Sequence, residues 1–344
     1  MSAPLRFGLV GAGGIAQAYV NVLADLDEAV VVGVADPRSD AAQAAAARLG
    51  CRSFSDVEEL SRTAQLDGVL LCTPPASHVQ IAEYFVKLGV PVLCEKPFAI
   101  TPGEARRLIS LADSASVVVT MAAKFRYVDD VRRAREILDS GALGAPILFE
   151  NVFASRVSMA GRWNSEPHIS GGGVLIDNGT HSADIARFFL GPITEVHAVE
   201  GRRVQGLDVE DTAQMFLRTE HGVLGTVDLS WSIDKAVDSY VRICCSEGTI
   251  EVGWHQSRYR KAGAESWTVF GSGYDKAAAM RAEVVNFARA LRGREALLIT
   301  ADDAIASVDV IAAAYRSITR RQWVTVASPP VRVVGDTIAR ADVA

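Results

Sequence analysis

Through residue 121 the chain alternates short, nearly continuous apolar runs with alanine-rich or helix-periodic stretches. That is the pattern of a parallel sheet covered by helices on both faces. The spacing predicts strands at Leu5–Val10, Val30–Ala35, Gly68–Cys72, Val90–Cys94 and Val117–Met121. Between them it predicts helices over Ile15–Leu26, Ser39–Leu49, His78–Leu88 and Thr101–Ala112, with a short one at Asp56–Ser61. After Met121 the pattern changes. A helix over Asp129–Ser140 stops at Gly141, a strand follows at Pro146–Phe153, and a polar loop, Ser155–Gly173, leads into a helix over Val174–Leu190. Beyond Pro192, alternating strands are predicted at Glu195–Arg203, Thr212–Thr219, Val223–Trp231, Tyr240–Ser246 and Thr249–Trp254. Two of their connections, Glu220-His221-Gly222 and Ser246-Glu247-Gly248, have hairpin chemistry. Helices over Asp275–Arg292 and Ala301–Arg320 complete the pattern. The expected fold class is α/β: a doubly wound parallel sheet in residues 1–123, then an α+β domain in residues 124–344 with an open, mostly antiparallel sheet.

Length agrees with that division, since 344 residues exceed one ordinary core. The composition is 49% apolar and 22% charged, ordinary for a globular protein. A net charge of −6 leaves no electrostatic footprint for nucleic acid or an anionic membrane. The basic run Arg132-Arg133-Ala134-Arg135 reads as a solvated helix face. Five cysteines, without a CxxC pair, argue against a disulfide framework or a metal site and fit a reducing cytoplasm. No leader is visible, and no apolar run approaches the about 20 residues that span a bilayer.

Chemistry enters with Gly11-Ala12-Gly13-Gly14-Ile15-Ala16, which follows a strand and opens a helix. Gly11 permits the tight turn, Gly13 and Gly14 let the backbone approach a pyrophosphate, and small Ala16 allows close helix–strand packing. The helix N-terminus, beginning near Ile15, offers unpaired N–H groups to phosphate. The alternative is a structural turn without a ligand. Asp36, at the end of the second strand, can accept both ribose hydroxyls of a Rossmann-bound dinucleotide and would repel a 2′-phosphate. Arg38 could reverse that preference by pairing with the phosphate, so the balance favours NAD with NADP as the alternative. Thr73, Pro74 and His78 follow the Gly68–Cys72 strand, and Glu95 and Lys96 follow Val90–Cys94, which places them at the same cofactor edge. His78 either touches the nicotinamide side or simply occupies the first helical turn.

In Gly171-Gly172-Gly173-Val174-Leu175-Ile176-Asp177-Asn178-Gly179-Thr180-His181, helical spacing puts Asp177 and His181 on one face, with Asp184 one turn further on. Three glycines before that helix suggest close backbone approach to a ligand. Oxidising a secondary alcohol needs a base for the hydroxyl proton, and histidine suits it. A carboxylate would orient the imidazole, and a lysine ammonium would stabilise developing alkoxide. Lys96, Asp177 and His181 supply these catalytic parts if the second domain folds over the first. Lys124, Arg126 and Tyr127 follow the last parallel strand, where open α/β sheets bind ligands. Arg162, Trp163 and Asn164 on the long loop suit a polyhydroxylated substrate, or else the loop is anchored by one buried tryptophan.

With the Gly11–Ala16 turn, Thr73-Pro74-Pro75, Glu95-Lys96-Pro97 and Asp177-xxx-His181 in this order, nearly the whole chain resembles the Gfo/Idh/MocA oxidoreductase family. The resemblance implies a Rossmann domain followed by a domain whose open sheet often forms a dimer or tetramer interface. It implies that Lys96 and His181 flank the reacting hydroxyl with Asp177 assisting. Substrates in the family are sugars, cyclitols, sugar phosphates or nucleotide-activated sugars. Two other outcomes on this fold are an enzyme that oxidises its substrate transiently and returns the hydride, and a non-catalytic sensor.

Overall fold

In a computed structural model of the protein, the structure describes residues 3–327. In the first half, strands β1 (Leu5–Val10), β2 (Ala29–Ala35), β3 (Arg52–Phe54), β4 (Gly68–Leu71), β5 (Val92–Glu95) and β6 (Val119–Ala122) alternate with helices. The helices are α1 (Gly14–Leu23), α2 (Ser39–Leu49), α3 (Val57–Thr63), α4 (Pro75–Lys87) and α5 (Pro102–Ala115). All strand pairs are parallel, in the order β3-β2-β1-β4-β5-β6. This is the doubly wound Rossmann order, whose chain reversal beside β1 leaves a ligand crevice at the strands' C-terminal ends. The central strands read as continuous apolar runs because both faces are covered: β4 and β5 are buried at every position. β3 was not among the expected strands. It has three residues, two of them polar, and sits at the sheet edge.

The second half contains α6 (Asp129–Asp139), β7 (Pro146–Ala154), α7 (Pro167–Ser170) and α8 (Val174–Leu190). Strands β8 (Ile193–Glu200), β9 (Thr212–Thr219), β10 (Leu224–Ser230), β11 (Ser239–Cys245), β12 (Gly248–Gly253), β13 (Ser257–Lys261) and β14 (Thr268–Gly271) follow. Helices α9 (Lys276–Leu291) and α10 (Ala301–Arg320) and strand β15 (Val324–Thr325) come last. The nine strands form one sheet, β14-β13-β12-β11-β7-β10-β9-β8-β15, antiparallel except where β10 runs parallel to β7. Alternation drives it. In β9 the residues Ala213, Met215 and Leu217 face the core while Gln214 and Arg218 face out. The edge strands β14 and β15 and the neighbouring β13 lack that alternation, and the expected strand set omitted them.

Helix α9 returns to the first sheet. Its Met280, Val284, Phe287 and Ala288 share a buried cluster with Phe7, Leu9 and Tyr19, and Phe287 meets Phe7 at 5.6 Å between ring centres. The layer beneath the glycine turn is thus completed by residues far along the chain. Helix α10 ties the halves together from the other side, where Arg106 of α5 donates to Asp309 at 2.7 Å. Among the described residues no helix is long and apolar enough to cross a membrane.

Candidate active site

At the end of β1 the backbone turns at Gly11, whose φ is +90° and where a Cβ would meet the Cys72 carbonyl oxygen at 2.7 Å. Only glycine fits there without strain. Gly13 and Gly14 are open instead: a Cβ on Gly14 meets nothing within 4 Å, and one on Gly13 meets only Arg38 Nη2 at 3.8 Å. Helix α1 starts with no side-chain cap and no acidic residue in its first turn. Its N–H groups and partial positive charge therefore face free space, and Ile15 lies half-buried on that turn. This arrangement fits a dinucleotide pyrophosphate.

Asp36 accepts from Ala12 N at 2.7 Å and from Arg38 N at 2.8 Å, so the second strand's end is fastened to the glycine turn. Burial disfavours its charge, but the Arg38 guanidinium and these backbone donors outweigh that and hold the carboxyl below its ordinary value. The guanidinium lies against Asp36 at 3.2 Å and is largely exposed. It can swing aside for a ribose or follow a 2′-phosphate. Thr73 and Pro74 form the turn before α4, where Ser77 Oγ donates to Thr73 Oγ1 at 2.8 Å. His78 is fully buried, its ring nitrogens 2.9 Å from the Pro97 carbonyl and 2.7 Å from the Thr73 carbonyl. No ring nitrogen is left for a cofactor, so His78 braces the loops after β4 and β5.

Glu95 likewise points into the protein. It accepts from Lys96 N and from the Tyr19 hydroxyl, each at 3.0 Å, and Tyr19 also lies 2.7 Å from Glu283 of α9. One phenol has one proton to give, so two carboxylates cannot both be served by it; one carboxyl must be protonated and donate back. Burial, then repulsion from Glu95, pushes Glu283 up to about 8, which makes Glu283 the neutral partner. Burial also raises Glu95, against the pull of Lys124 and Lys96.

Above this layer lies a cleft of about 440 Å³ between the two halves. Lys96, Asp177 and His181 all line it, although α8 and the end of β5 are 81 residues apart at Lys96 and Asp177. Lys96 Nζ donates to the Asp177 carboxylate at 2.5 Å and to the Asp177 carbonyl at 3.1 Å. An ammonium has three donors, so one remains for a ligand. The expected carboxylate behind the imidazole is not found. Asp177 is paired with Lys96, and Asp184 is buried against Arg126 at 3.0 Å. Instead His181 Nε2 lies 3.2 Å from Lys124 Nζ, and Nδ1 is buried without a hydrogen-bond partner among the described residues. Burial first, then Lys124 and Lys96, drives the imidazole well below its ordinary value. Lys124 is itself brought down to about 8 by burial and by Lys96.

Other expected contacts lie elsewhere. Arg126 is buried in an ion cluster, bonded to Asp184, to Asp303 at 3.1 Å and to the Leu298 carbonyl, and does not line the cleft. Arg162, Trp163 and Asn164 sit outside it as well. Trp163 is 39% exposed, neither a cleft wall nor a buried anchor. The three glycines before α8 are approached by protein atoms. A Cβ on Gly171 would strike Ile100, one on Gly172 the Tyr315 hydroxyl, and one on Gly173 the Glu210 carbonyl. Glu210 Oε1 accepts from Gly173 N and Leu175 N at 3.0 Å each, and from Tyr315 at 2.8 Å, capping α8 from the loop that precedes β9. The glycines serve that cap. The cleft walls not anticipated are Phe125, Phe153, Trp254 and Tyr274, with Asp234 and Lys276 at the rim. Trp254 and Tyr274 close a strand and open a helix, and nothing local marks them as neighbours of His181.

Two family models match the chain in order. The first, an oxidoreductase family with an NAD-binding Rossmann fold, covers residues 5–123, and the second, the GFO/IDH/MocA C-terminal domain, covers residues 131–251. Among similar proteins, the rhizopine catabolism protein MocA of Rhizobium meliloti is 27% identical, over 92% of this chain and 95% of that protein. Inositol 2-dehydrogenase of Rhizobium meliloti is 24% identical over 94% of this chain and 99% of that protein. D-apiose dehydrogenase of Paraburkholderia graminis is 29% identical over 71% of this chain and 66% of that protein. Levoglucosan dehydrogenase, solved with NADH and levoglucosan, shares the fold with a TM-score of 0.87 at 22% identity, covering 95% of this chain and all 100% of that one. The parallel sheet with its open glycine turn, the mixed second sheet and both family models lead to one assignment: the chain belongs to the Gfo/Idh/MocA oxidoreductase family and is an NAD(P)-dependent dehydrogenase.

Proposed function

We propose that this enzyme oxidises a secondary alcohol of a small carbohydrate or cyclitol, with NAD preferred over NADP. The observation that carries the reading is the convergence of Lys96–Asp177 and Lys124–His181, from both halves of the chain, on one cleft at the C-terminal ends of β5 and β6. NAD, when bound, supplies the hydride acceptor. Gly11, Gly13, Gly14 and Ile15 hold the pyrophosphate, Thr73 and Pro74 shape the cofactor edge, and Asp36 takes the ribose hydroxyls. Asp177 positions Lys96, whose remaining N–H donates to the oxygen as alkoxide charge develops. His181, kept neutral by burial and two lysines, offers Nε2 to the hydroxyl. Trp254 and Tyr274 give apolar walls suited to sugar C–H faces, while Asn178, Asp234 and Lys276 meet hydroxyls. Relatives named for inositol, apiose and levoglucosan all point to polyhydroxylated substrates.

The same reading has the enzyme in the cytoplasm and self-associating as a homodimer or homotetramer through the outer face of the second sheet. There the paired residues Leu148 and Leu224 are exposed together. Sedimentation of the wild type and of Leu148→Glu tests that face: a smaller species is expected for the variant. The function is tested by offering NAD with a panel of sugars, cyclitols and their phosphates and following NADH. Net NADH from a polyol supports it. Product without net NADH would mean transient oxidation, and no turnover with any alcohol would leave the sensor.

A further inference from the structure

The segment between β8 and β9, residues 201–211, lies outside the cleft yet fastens the elements that wall it. Glu210 caps α8, which carries Asp177, Asn178 and His181, and its carbonyl also accepts from Val174 N at 2.9 Å. The next carbonyl, that of Asp211, accepts from Trp231 N at 2.8 Å. The buried Asp211 carboxylate accepts from Val204 N and Gln205 N at 2.7 Å each. The turn so formed puts the Gln205 side chain between the segments that leave β7 and β10. Gln205 Nε2 donates to the Val157 carbonyl at 3.0 Å and to the Trp231 carbonyl at 3.1 Å, with Ser232 Oγ 3.2 Å away. Gln205 Oε1 accepts from Met159 N at 3.0 Å. Two carbonyls need donors and one N–H needs an acceptor, so a single amide serves all three. We propose that Gln205 is a positioning residue for the substrate, a clasp that fixes two rim segments of the cleft and so sets which alcohol it accepts. This rests on reading the cleft as an alcohol-oxidising site.

Ser155 follows β7, while Asp234, Ala236 and Val237 follow β10, and all four line the cleft. Lys96, Lys124 and His181 line it too, but they are held by the end of β5, the segment after β6 and α8, through hydrogen bonds that do not involve Gln205. The clasp therefore bears on the rim and not on the proton-handling groups. Backbone bonds secure only the start of each rim segment. Ser155 N donates to the Ser230 carbonyl at 3.1 Å, Val157 N to the Trp231 carbonyl at 2.8 Å and Lys235 N to the Ala154 carbonyl at 3.4 Å. Farther out, Gln205 takes over at Met159, whose side chain is buried. An exposed segment with few fastenings samples several positions, and a side-chain clasp selects one. Substrate hydroxyls that meet Ser155 and Asp234 then find them already placed, without the cost of ordering them on binding. Releasing the clasp weakens the hold on the non-reacting part of the substrate and leaves the barrier at the reacting hydroxyl as it was. Uniform binding is lost, so KM rises while kcat holds.

The test compares the whole wild-type protein with Gln205→Met and Gln205→Glu, by amide hydrogen exchange and by kinetics on an alcohol found on the panel. Methionine keeps the length of the side chain but offers no N–H. Glutamate keeps an acceptor for Met159 N and turns a charge towards the two carbonyls. In Gln205→Met, exchange should quicken over residues 155–160 and 231–238 and stay unchanged over α8. In Gln205→Glu it should quicken over residues 231–238 while the Met159 amide stays protected. Both variants should raise KM for the alcohol at least about tenfold, keep kcat within about threefold of the wild type and bind NADH equally well. Their preference among the polyols should narrow. A role in fold stability alone would lower the active fraction, and with it kcat, at an unchanged KM. That result, or a wild-type KM in both variants, overturns the proposal while leaving the dehydrogenase reading intact. An enzyme that oxidises no alcohol overturns both.

Discussion

Replacing Glu283 by glutamine keeps the shape of a fully buried side chain and removes its ionisation. In the folded protein its carboxyl sits at about 8 against 4.5 for the free group, because burial and Glu95 oppose the charge. A carboxyl raised on folding binds its proton more tightly in the folded state. Its stabilisation is therefore complete below 4.5 and is lost as pH rises to 8. The slope approaches about 1.36 kcal/mol per pH unit and flattens near the folded value, which gives a loss of about 2 kcal/mol between about pH 6 and about pH 8. Lys124 works with the opposite sign and mainly above pH 8, where its lowered basicity adds stability with rising pH. The comparison is therefore best confined below that value. Urea unfolding followed by fluorescence at the two pH values should show the wild type losing about 2 kcal/mol more than Glu283→Gln. Parallel losses in the two proteins would refute a neutral Glu283 beneath the cleft.

Asp36→Ala should weaken NAD binding by an order of magnitude or more and NADP binding far less; equal losses by calorimetry would remove Asp36 from ribose recognition. Gly173→Ala puts a Cβ onto the Glu210 carbonyl and should cost at least about 2 kcal/mol in thermal unfolding, whereas Gly14→Ala, with open space around it, should leave stability nearly unchanged. The same Gly14→Ala protein should bind dinucleotide more weakly, because the methyl group intrudes on the pyrophosphate path. His181→Ala should cost turnover by orders of magnitude while NADH binding persists, and wild-type turnover would exclude it from the proton-handling group.

The parts most legible in the sequence are those whose reasons are local. Helix α10 falls on its expected bounds because Thr300 and Asp303 form a capping box at its start. Strand β1 does so because an apolar run meets a glycine turn. The edge strands β14 and β15 carry no signal in the sequence because each is short and half-solvated and lacks alternation. Site residues show the same division. The Asp36 link to the glycine turn follows from the β1–α1–β2 unit. The pairing of Lys96 with Asp177 and of Lys124 with His181 depends on how α8 crosses the end of β5, and residue spacing within α8 cannot report that. The role of the glycine run before α8 is hidden for the same reason: Glu210 and Tyr315, which need those glycines, lie on a distant loop and helix.

The central claim is that Lys96 and its partners oxidise an alcohol at the expense of NAD. Its most direct test is NADH formation by wild type and Lys96→Ala with each polyol of the panel, alongside NADH binding by both proteins. The account predicts net NADH with at least one polyol, a fall of at least about 100-fold in kcat for Lys96→Ala, and closely similar NADH affinity. Wild-type turnover by Lys96→Ala on that polyol would contradict it.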